Sequence, residues 1–228
     1  MHATAAMDTR LKPFEALRAV RALMADPEDT AQVFSIFRAL RGRSGINAFR
    51  RFEKSPTGAA ILRDRRVLLD TLSDRAALSA LPEGSVGRTY FEFMEDENLT
   101  ADGLVQASQE WDNDPVPVDM QFYRERMRDS HDLTHTVTGY GRDPLGEMCL
   151  LAFMYAHTRN LGMAFIIGMN WLRLPKFAKA AVREAWNNGK KARWMQDMDW
   201  EAMLPRPLDD VRRECGIAAP LLYRPVAA

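Results

Sequence analysis

An all-α, single-domain multi-helix bundle spanning residues 1–228 is the fold the sequence predicts, and three observations predict it. Apolar side chains recur at helical spacing over most of the chain. Proline, glycine and capping residues punctuate it at intervals that suit helices. No run alternates apolar and polar residues for more than a few positions, and no internal repeat is visible. At 46% hydrophobic, the chain has enough apolar side chains to bury a core of its own.

Taken in order, residues 12–25 place Phe14, Leu17, Val20 (or Arg21) and Met24 near one stripe, and Asp26-Pro27 stops that helix. Residues 27–41 read as a second helix, with Pro27 at the first position and Val33, Phe34, Phe37 and Leu40 facing inward. Gly42 and Gly45 break it. Ser55-Pro56 opens another helix that runs through Ile61, Leu62 and Leu68-Leu69 to Leu72. Leu81-Pro82-Glu83-Gly84-Ser85-Val86-Gly87 is a turn-rich joint before an aromatic helix face carrying Tyr90, Phe91, Phe93 and Met94. Residues 112–117 form an acidic, proline-rich loop. A helix over 118–138 ends at Gly139; Asp143 then caps the next helix and Pro144 takes its first position. Gly162, Gly168 and Pro175 punctuate the remainder, with helices expected over 176–187, 190–202 and 207–215.

The net charge is zero but unevenly spread. Residues 1–66 carry 13 Lys/Arg against 7 Asp/Glu, residues 92–132 carry 12 acidic against 3 basic, and residues 173–193 hold seven basic residues and one acid, Glu184. Solvated helix faces produce such blocks; so does a basic surface meant for anionic lipid or phosphate. Nucleic acid is not an expected partner, since no zinc-finger, RRM or helix-turn-helix pattern occurs. Cys149 and Cys215 make no disulfide framework; without a signal peptide or CxxC pair they point to a reducing, cytoplasmic setting. The most apolar region, 145–172, is cut by Glu147 and Arg159 into uncharged runs of 11 and 13 residues. Both fall short of the roughly 20 that cross a bilayer.

The chemistry concentrates in His131-Asp132-Leu133-Thr134-His135, with Glu147 twelve residues further on. Residues four apart on a helix lie about 40° apart around its axis, so the two imidazoles point the same way, with Asp132 about 60° beyond. The turn Gly139-Tyr140-Gly141-Arg142 reverses the chain and can bring Glu147, in the next helix's first turn, back against the pair. Two imidazoles with one or two carboxylates make a divalent-metal site. Singly, each residue has a plainer use: a helix histidine as a hydrogen-bonder, a first-turn glutamate as a partner for the helix dipole. Their convergence in a chain with four histidines favours the metal. His157 reads as structural and His2 as terminal. Known metal patterns fit poorly: a zinc protease needs Glu where Asp132 stands, an HD-type phosphohydrolase needs an upstream histidine, and a di-iron bundle needs Glu-x-x-His twice.

HDxxH, eleven residues, then Glu resembles the motif of a ubiquinone-biosynthesis family, Coq protein four. The Leu81–Gly87 joint with Tyr90 and Phe93-Met94 is similar to the family's LPxGSxGxxYxxFM segment. Trp186-Asn187-Asn188-Gly189 resembles its W-x-x-G-x-x-A stretch, and Leu208-Asp209-Asp210-Val211-Arg212 its last helix. The likeness covers roughly residues 80–215; the polar loop 140–144 departs from it and suggests a bacterial-type branch. The resemblance implies a homodimer that binds a polyprenylated benzoate or quinone precursor at a membrane surface, peripheral on the inner membrane, beside other quinone-making enzymes. It implies oxidative decarboxylation, a carboxyl replaced by hydroxyl at ring carbon one, with His131, Asp132, His135 and Glu147 in catalytic and metal-binding roles. The donor set does not choose among zinc, iron, manganese and magnesium. A prenyl tail needs an apolar groove, for which Met148, Leu151, Phe153, Met154, Phe165 and Ile166 are the expected lining. The alternatives are a non-catalytic lipid-binding scaffold with a structural metal, and a phosphoester hydrolase.

Overall fold

The computed structural model describes residues 9–25, 30–103 and 116–226. His2, Pro27, residues 112–115 and the side chains of Met24 and Phe34 lie outside the described residues. Among those described the fold is all-α with no strand, and one isolated antiparallel bridge, Ser85 to Pro207, is present.

The first helices are α1 (Pro13–Ala25), α2 (Thr30–Ala39), α3 (Ser44–Lys54), α4 (Pro56–Asp64), α5 (Leu68–Ser73), α6 (Arg75–Ser79) and α7 (Val86–Asp96). The stripe expected on α1 is corrected: Phe14 is 82% exposed and Leu17 is exposed, while Ala16, Ala19 and Val20 are buried. Small side chains let α1 lie close along α2, so the inner face is the alanine side. Gly42 does break the chain, at φ +53°, but Gly45 sits in the first turn of α3, which tolerates it. The single helix expected from Ser55 to Leu72 is two. Ser55 Oγ accepts from Gly58 N at 3.0 Å and starts α4; Arg65 in the left-handed region ends it. Arg66 is then pulled out of helical continuation: its Nη1 donates to Asp199 Oδ1 at 2.7 Å, while its carbonyl accepts from Arg126 Nη1.

The rest comprises α8 (Val118–Asp129), α9 (His131–Thr138), α10 (Pro144–Thr158), α11 (Leu161–Trp171), α12 (Lys176–Lys191), α13 (Trp200–Met203) and α14 (Leu208–Cys215). The helix expected over 118–138 turns at Ser130, whose φ −83° and ψ 3° leave the helical well and whose hydroxyl donates back to the Met127 carbonyl. The helix expected over 190–202 does not form. α12 runs straight through Gly189, where a Cβ would lie 2.4 Å from the Phe153 carbonyl oxygen, so glycine here serves close packing of α12 on α10. The chain leaves α12 at Ala192, and Arg193 N donates to the Cys215 carbonyl at 2.7 Å.

The main core gathers side chains from α7, α9, α10, α12 and α14, among them Tyr90, Leu133, Val137, Phe153, Val182 and Val211. A smaller cluster of Phe52, Ile61, Met120, Tyr123 and Trp194 joins α3, α4 and α8. Between them Arg126 is fully buried and bidentate to Glu201, at 2.8 and 2.6 Å.

Candidate metal centre

α9 carries the cluster, and a helix this polar must satisfy its hydroxyls before it can be buried. Thr134, Thr136 and Thr138 each donate to the carbonyl four residues back, at 2.8, 2.9 and 2.7 Å. Gly139 at φ +77° closes the helix, its N–H donating to the His135 carbonyl. Arg212 of α14 caps the remaining carbonyls, Nε to Val137 at 2.8 Å and Nη2 to Thr136 at 3.2 Å. The Thr136 and Val137 carbonyls at the helix end are thereby satisfied.

The turn after Gly139 aims the second half of the site. His135 Nδ1–H donates to the Tyr140 carbonyl at 2.8 Å. A carbonyl can only accept, so in the neutral ring the Nε2 lone pair points into the site, the arrangement of a metal-ligating histidine. That Nε2 is buried and completes no hydrogen bond with a described residue. Glu147 Oε1 stands 3.4 Å from it. Asp143 caps α10, its Oδ1 accepting from Leu145 N and Gly146 N, while its Oδ2 accepts from the Tyr223 hydroxyl. Val226 N also donates to Asp143, and Gly141 N donates to the Tyr223 oxygen, so the C-terminal tail clasps the turn that carries Glu147.

His131 is half-buried, its ring centroid 4.7 Å from that of His135 and its Nδ1 3.2 Å from Asp132 Oδ1. Ligand atoms of His131, Asp132 and His135 all lie within 4.8 Å of one another. Atoms bound about 2.1 Å from one ion are roughly 3 to 4 Å apart, so small side-chain rotations close the set. All four expected residues thus come together: three as a mutual cluster, and Glu147 against His135. The donor chemistry and the orphaned His135 nitrogen fit a divalent cation.

Charge at the site is finely set. Burial alone would raise the Asp132 carboxyl, but the His131 hydrogen bond and the charges of His131, His135 and Arg142 hold it below the usual carboxylate range. Glu147 is held low in the same way against its own burial, chiefly by His135. Burial would lower His135, yet Glu147, the Tyr140 carbonyl and Asp132 together raise it. Two carboxylates held toward their charged form beside two imidazoles are a donor set that would suit a divalent cation.

Residue pattern missed several contributors. Phe93 of α7 stacks on His135 with centroids 6.0 Å apart, and α7 is seated by Ser85 Oγ capping Arg88 N. Arg142 Nε lies 3.9 Å from Glu147 Oε1 and is buried without a hydrogen-bond partner among the described residues. Its proximity to Glu147 in sequence was the available signal; Arg212 and Tyr223 arrive from the far end of the chain and leave none. The expected groove lining is corrected in part. Met148, Phe153 and Ile166 are buried in the core, while Leu151, Met154 and Phe165 are only partly buried against it. α10 and α11 are apolar nearly all round, so periodicity could not say which side faces in. A groove of about 370 Å³ does exist between α10, α11 and α12, lined instead by Ala152, Tyr155, Ala164, Ile167, Trp171 and Trp186.

Gly146 ties these pieces together, because a Cβ there would fall 2.0 Å from the Gly141 carbonyl oxygen. Gly146→Ala must push the turn off α10 and carry Glu147 with it. The expected result is about 1–3 kcal/mol of destabilisation in urea unfolding, with roughly 10–100-fold weaker metal binding by titration.

Residues 13–220 match the family model described as Coenzyme Q (ubiquinone) biosynthesis protein Coq4. A mitochondrial ubiquinone biosynthesis protein coq4 from Talaromyces stipitatus is 35% identical over 170 residues, covering 73% of this chain and 58% of that protein. The Botryotinia fuckeliana protein of the same name is 33% identical over 177 residues, covering 75% and 61%. The mitochondrial COQ4 homolog of Danio rerio is 33% identical over 177 residues, covering 75% and 63%. The chain therefore spans about three-fifths of the length of these relatives. A crystal structure of a Nostoc punctiforme protein, described as a candidate ubiquinone biosynthesis protein, superposes with a TM-score of 0.65 at 21% identity. It covers 92% of this chain and 100% of that one, and at this identity the likeness is one of fold. On the match over 13–220 and relatives at a third identity, the chain belongs to the Coq4 family of coenzyme Q biosynthesis proteins.

Proposed function

We propose that this protein acts in ubiquinone biosynthesis as a metal-dependent oxidative decarboxylase of a polyprenylated benzoate precursor, replacing the carboxyl at ring carbon one by hydroxyl. The observation that supports the reading is the buried Nε2 of His135, turned by the Nδ1–Tyr140 hydrogen bond to face Glu147 and clustered with Asp132 and a second imidazole. His131, Asp132, His135 and Glu147 would hold the cation, which when bound supplies Lewis acidity toward a ring carboxylate. Arg142, at the edge of the cluster beside Glu147, offers a guanidinium for the same carboxylate. Phe93 and the buried wall of α9 keep water from His135. A structural metal in a lipid-binding scaffold would need the same ligands, and the two readings separate in one assay. Purified protein is incubated with iron, zinc, manganese or magnesium, dioxygen and a prenylated hydroxybenzoate, and products are read by mass spectrometry. The enzyme yields carbon dioxide and the hydroxylated ring; the scaffold yields neither while still retaining the lipid.

The same reading makes the chain one domain, peripheral on a membrane surface, a homodimer working beside other quinone-making enzymes. No helix among the described residues is long and apolar enough to cross a membrane. Support for surface contact comes from α11 and α12. Leu172 is 87% exposed and Phe177 53%, beside exposed Leu161 and Met169. Lys179 and Arg183 lie over the Trp171 ring and Lys190 over Trp186, so cations flank the apolar side chains. Such a face suits an anionic bilayer, and it borders the Trp171–Trp186 groove where a prenyl tail would enter. Leu172→Ser with Phe177→Ser is expected to cut sedimentation with phosphatidylglycerol vesicles by about ten-fold, leaving the melting temperature unchanged.

A further inference from the structure

The histidine half and the glutamate half of the cluster are joined by a short turn, residues 140–143. Tyr140 supplies the carbonyl that takes the His135 Nδ1–H at 2.8 Å. Asp143 supplies the carbonyl that takes the Glu147 backbone N–H at 3.0 Å. The separation of His135 from Glu147 therefore follows the shape of that turn.

The Tyr223 hydroxyl ties the turn across its width. As an acceptor it takes the Gly141 N–H at 3.1 Å, and as a donor it reaches Asp143 Oδ2. A phenol can do both at once, because its oxygen carries a proton as well as lone pairs. The Tyr223 ring sits edge-on against that of Tyr140, centroids 5.6 Å apart, and the residue is 7% exposed. A Cβ on Gly141 would fall 2.7 Å from the Tyr223 oxygen, so backbone and phenol are in close contact.

The segment that delivers Tyr223 is held more by polar bonds than by apolar burial. Ile217 and Tyr223 are buried, but Leu221 is 72% exposed and Leu222 51%. The N–H groups of Leu221 and Leu222 both donate to Glu184 Oε2 of α12, at 3.1 and 2.9 Å. Val226 N donates to Asp143 Oδ1 at 3.1 Å. A segment with few buried apolar contacts loosens without unfolding the core. Its bonds therefore act on the turn more than on the fold. We infer that Tyr223 is a positioning residue of the metal centre: through Gly141 and Asp143 it sets the distance between His135 and Glu147, and Glu184 anchors the segment that carries it. The inference rests on the metal reading of His131, Asp132, His135 and Glu147 given above.

Calorimetric titration of the metal-free full chain with zinc chloride alone and manganese chloride alone tests it, beside amide hydrogen exchange over residues 139–147. Tyr223→Phe keeps the ring and removes the hydroxyl. It is expected to weaken zinc binding about 10–100-fold, and to speed exchange in the turn while α12 stays protected. Glu184→Ala, which leaves two N–H groups that water can satisfy, is expected to give a smaller loss in the same direction. Added to Glu147→Ala, Tyr223→Phe is expected to cost little more, because both act through one ligand; a merely structural role would add its full effect. Equal zinc affinity in parent and Tyr223→Phe, fully additive losses in the double variant, or unchanged exchange in the turn would overturn the assignment of Tyr223 and leave the metal centre standing. A parent that binds neither ion would overturn the metal reading and this inference together.

Discussion

His135→Ala abolishes quinone production in cells that depend on this protein, while the purified variant keeps its helical circular dichroism. That is the expected result, and the geometry sets its size. His135 is the one imidazole of the pair that is fully buried, oriented by the Tyr140 carbonyl and faced by Glu147. Removing a partner that merely orients a ligand weakens metal binding by about 10–100-fold; removing the ligand itself is expected to cost more. The fold loses less. Deleting the ring leaves a small void beside Phe93 and strands no charged acceptor, since Glu147 is partly exposed and has Arg142 nearby. A loss of about 1–3 kcal/mol is expected, tolerable for a chain with this much buried core. His135→Gln, which keeps volume and polarity but changes the donor atom, should restore stability without restoring metal or activity. If it restored production, an imidazole would not be what the site requires.

The second large effect is structural. Glu201→Ala strips the partner from Arg126, whose guanidinium is buried and otherwise reaches the Met198 and Arg66 carbonyls at 3.3 and 3.4 Å. An uncompensated buried charge costs about 3–5 kcal/mol, and urea unfolding should read a drop of that order. Arg126→Met with Glu201→Leu removes both charges, and is expected to recover most of it. The contrast matters because α8 carries Arg126 and feeds directly into α9 through Ser130. The single variant is therefore expected to weaken metal binding as well, and the double variant to recover it. A Glu201→Ala protein as stable as the parent would show that water reaches Arg126.

How far the sequence could be read follows from where each signal lives. The His131–His135 pair is a property of one helix turn, and the return of Glu147 follows from a glycine-bounded reversal and an Asp143-Pro144 helix start, so the meeting of these side chains was legible. What held it was less so. Arg212 and Tyr223 reach the α9–α10 turn from more than 70 residues away in sequence. Ser130 breaks the long helix through a local side-chain bond that no periodicity records. Gly189 looks like a breaker but lies inside α12, because the Phe153 carbonyl needs the space. On α1 the bulkier residues suggested the wrong inner face, since close packing on α2 selects Ala16 and Ala19.

The most direct test is elemental analysis of the protein as purified, with stoichiometry per chain, alongside His135→Ala and Glu147→Gln. One divalent ion per chain in the parent, lost from the histidine variant and depleted in the glutamate variant, is the expected result. A parent protein that neither carries nor takes up any divalent ion, or variants that hold it as tightly as the parent, would contradict the assignment of these four side chains.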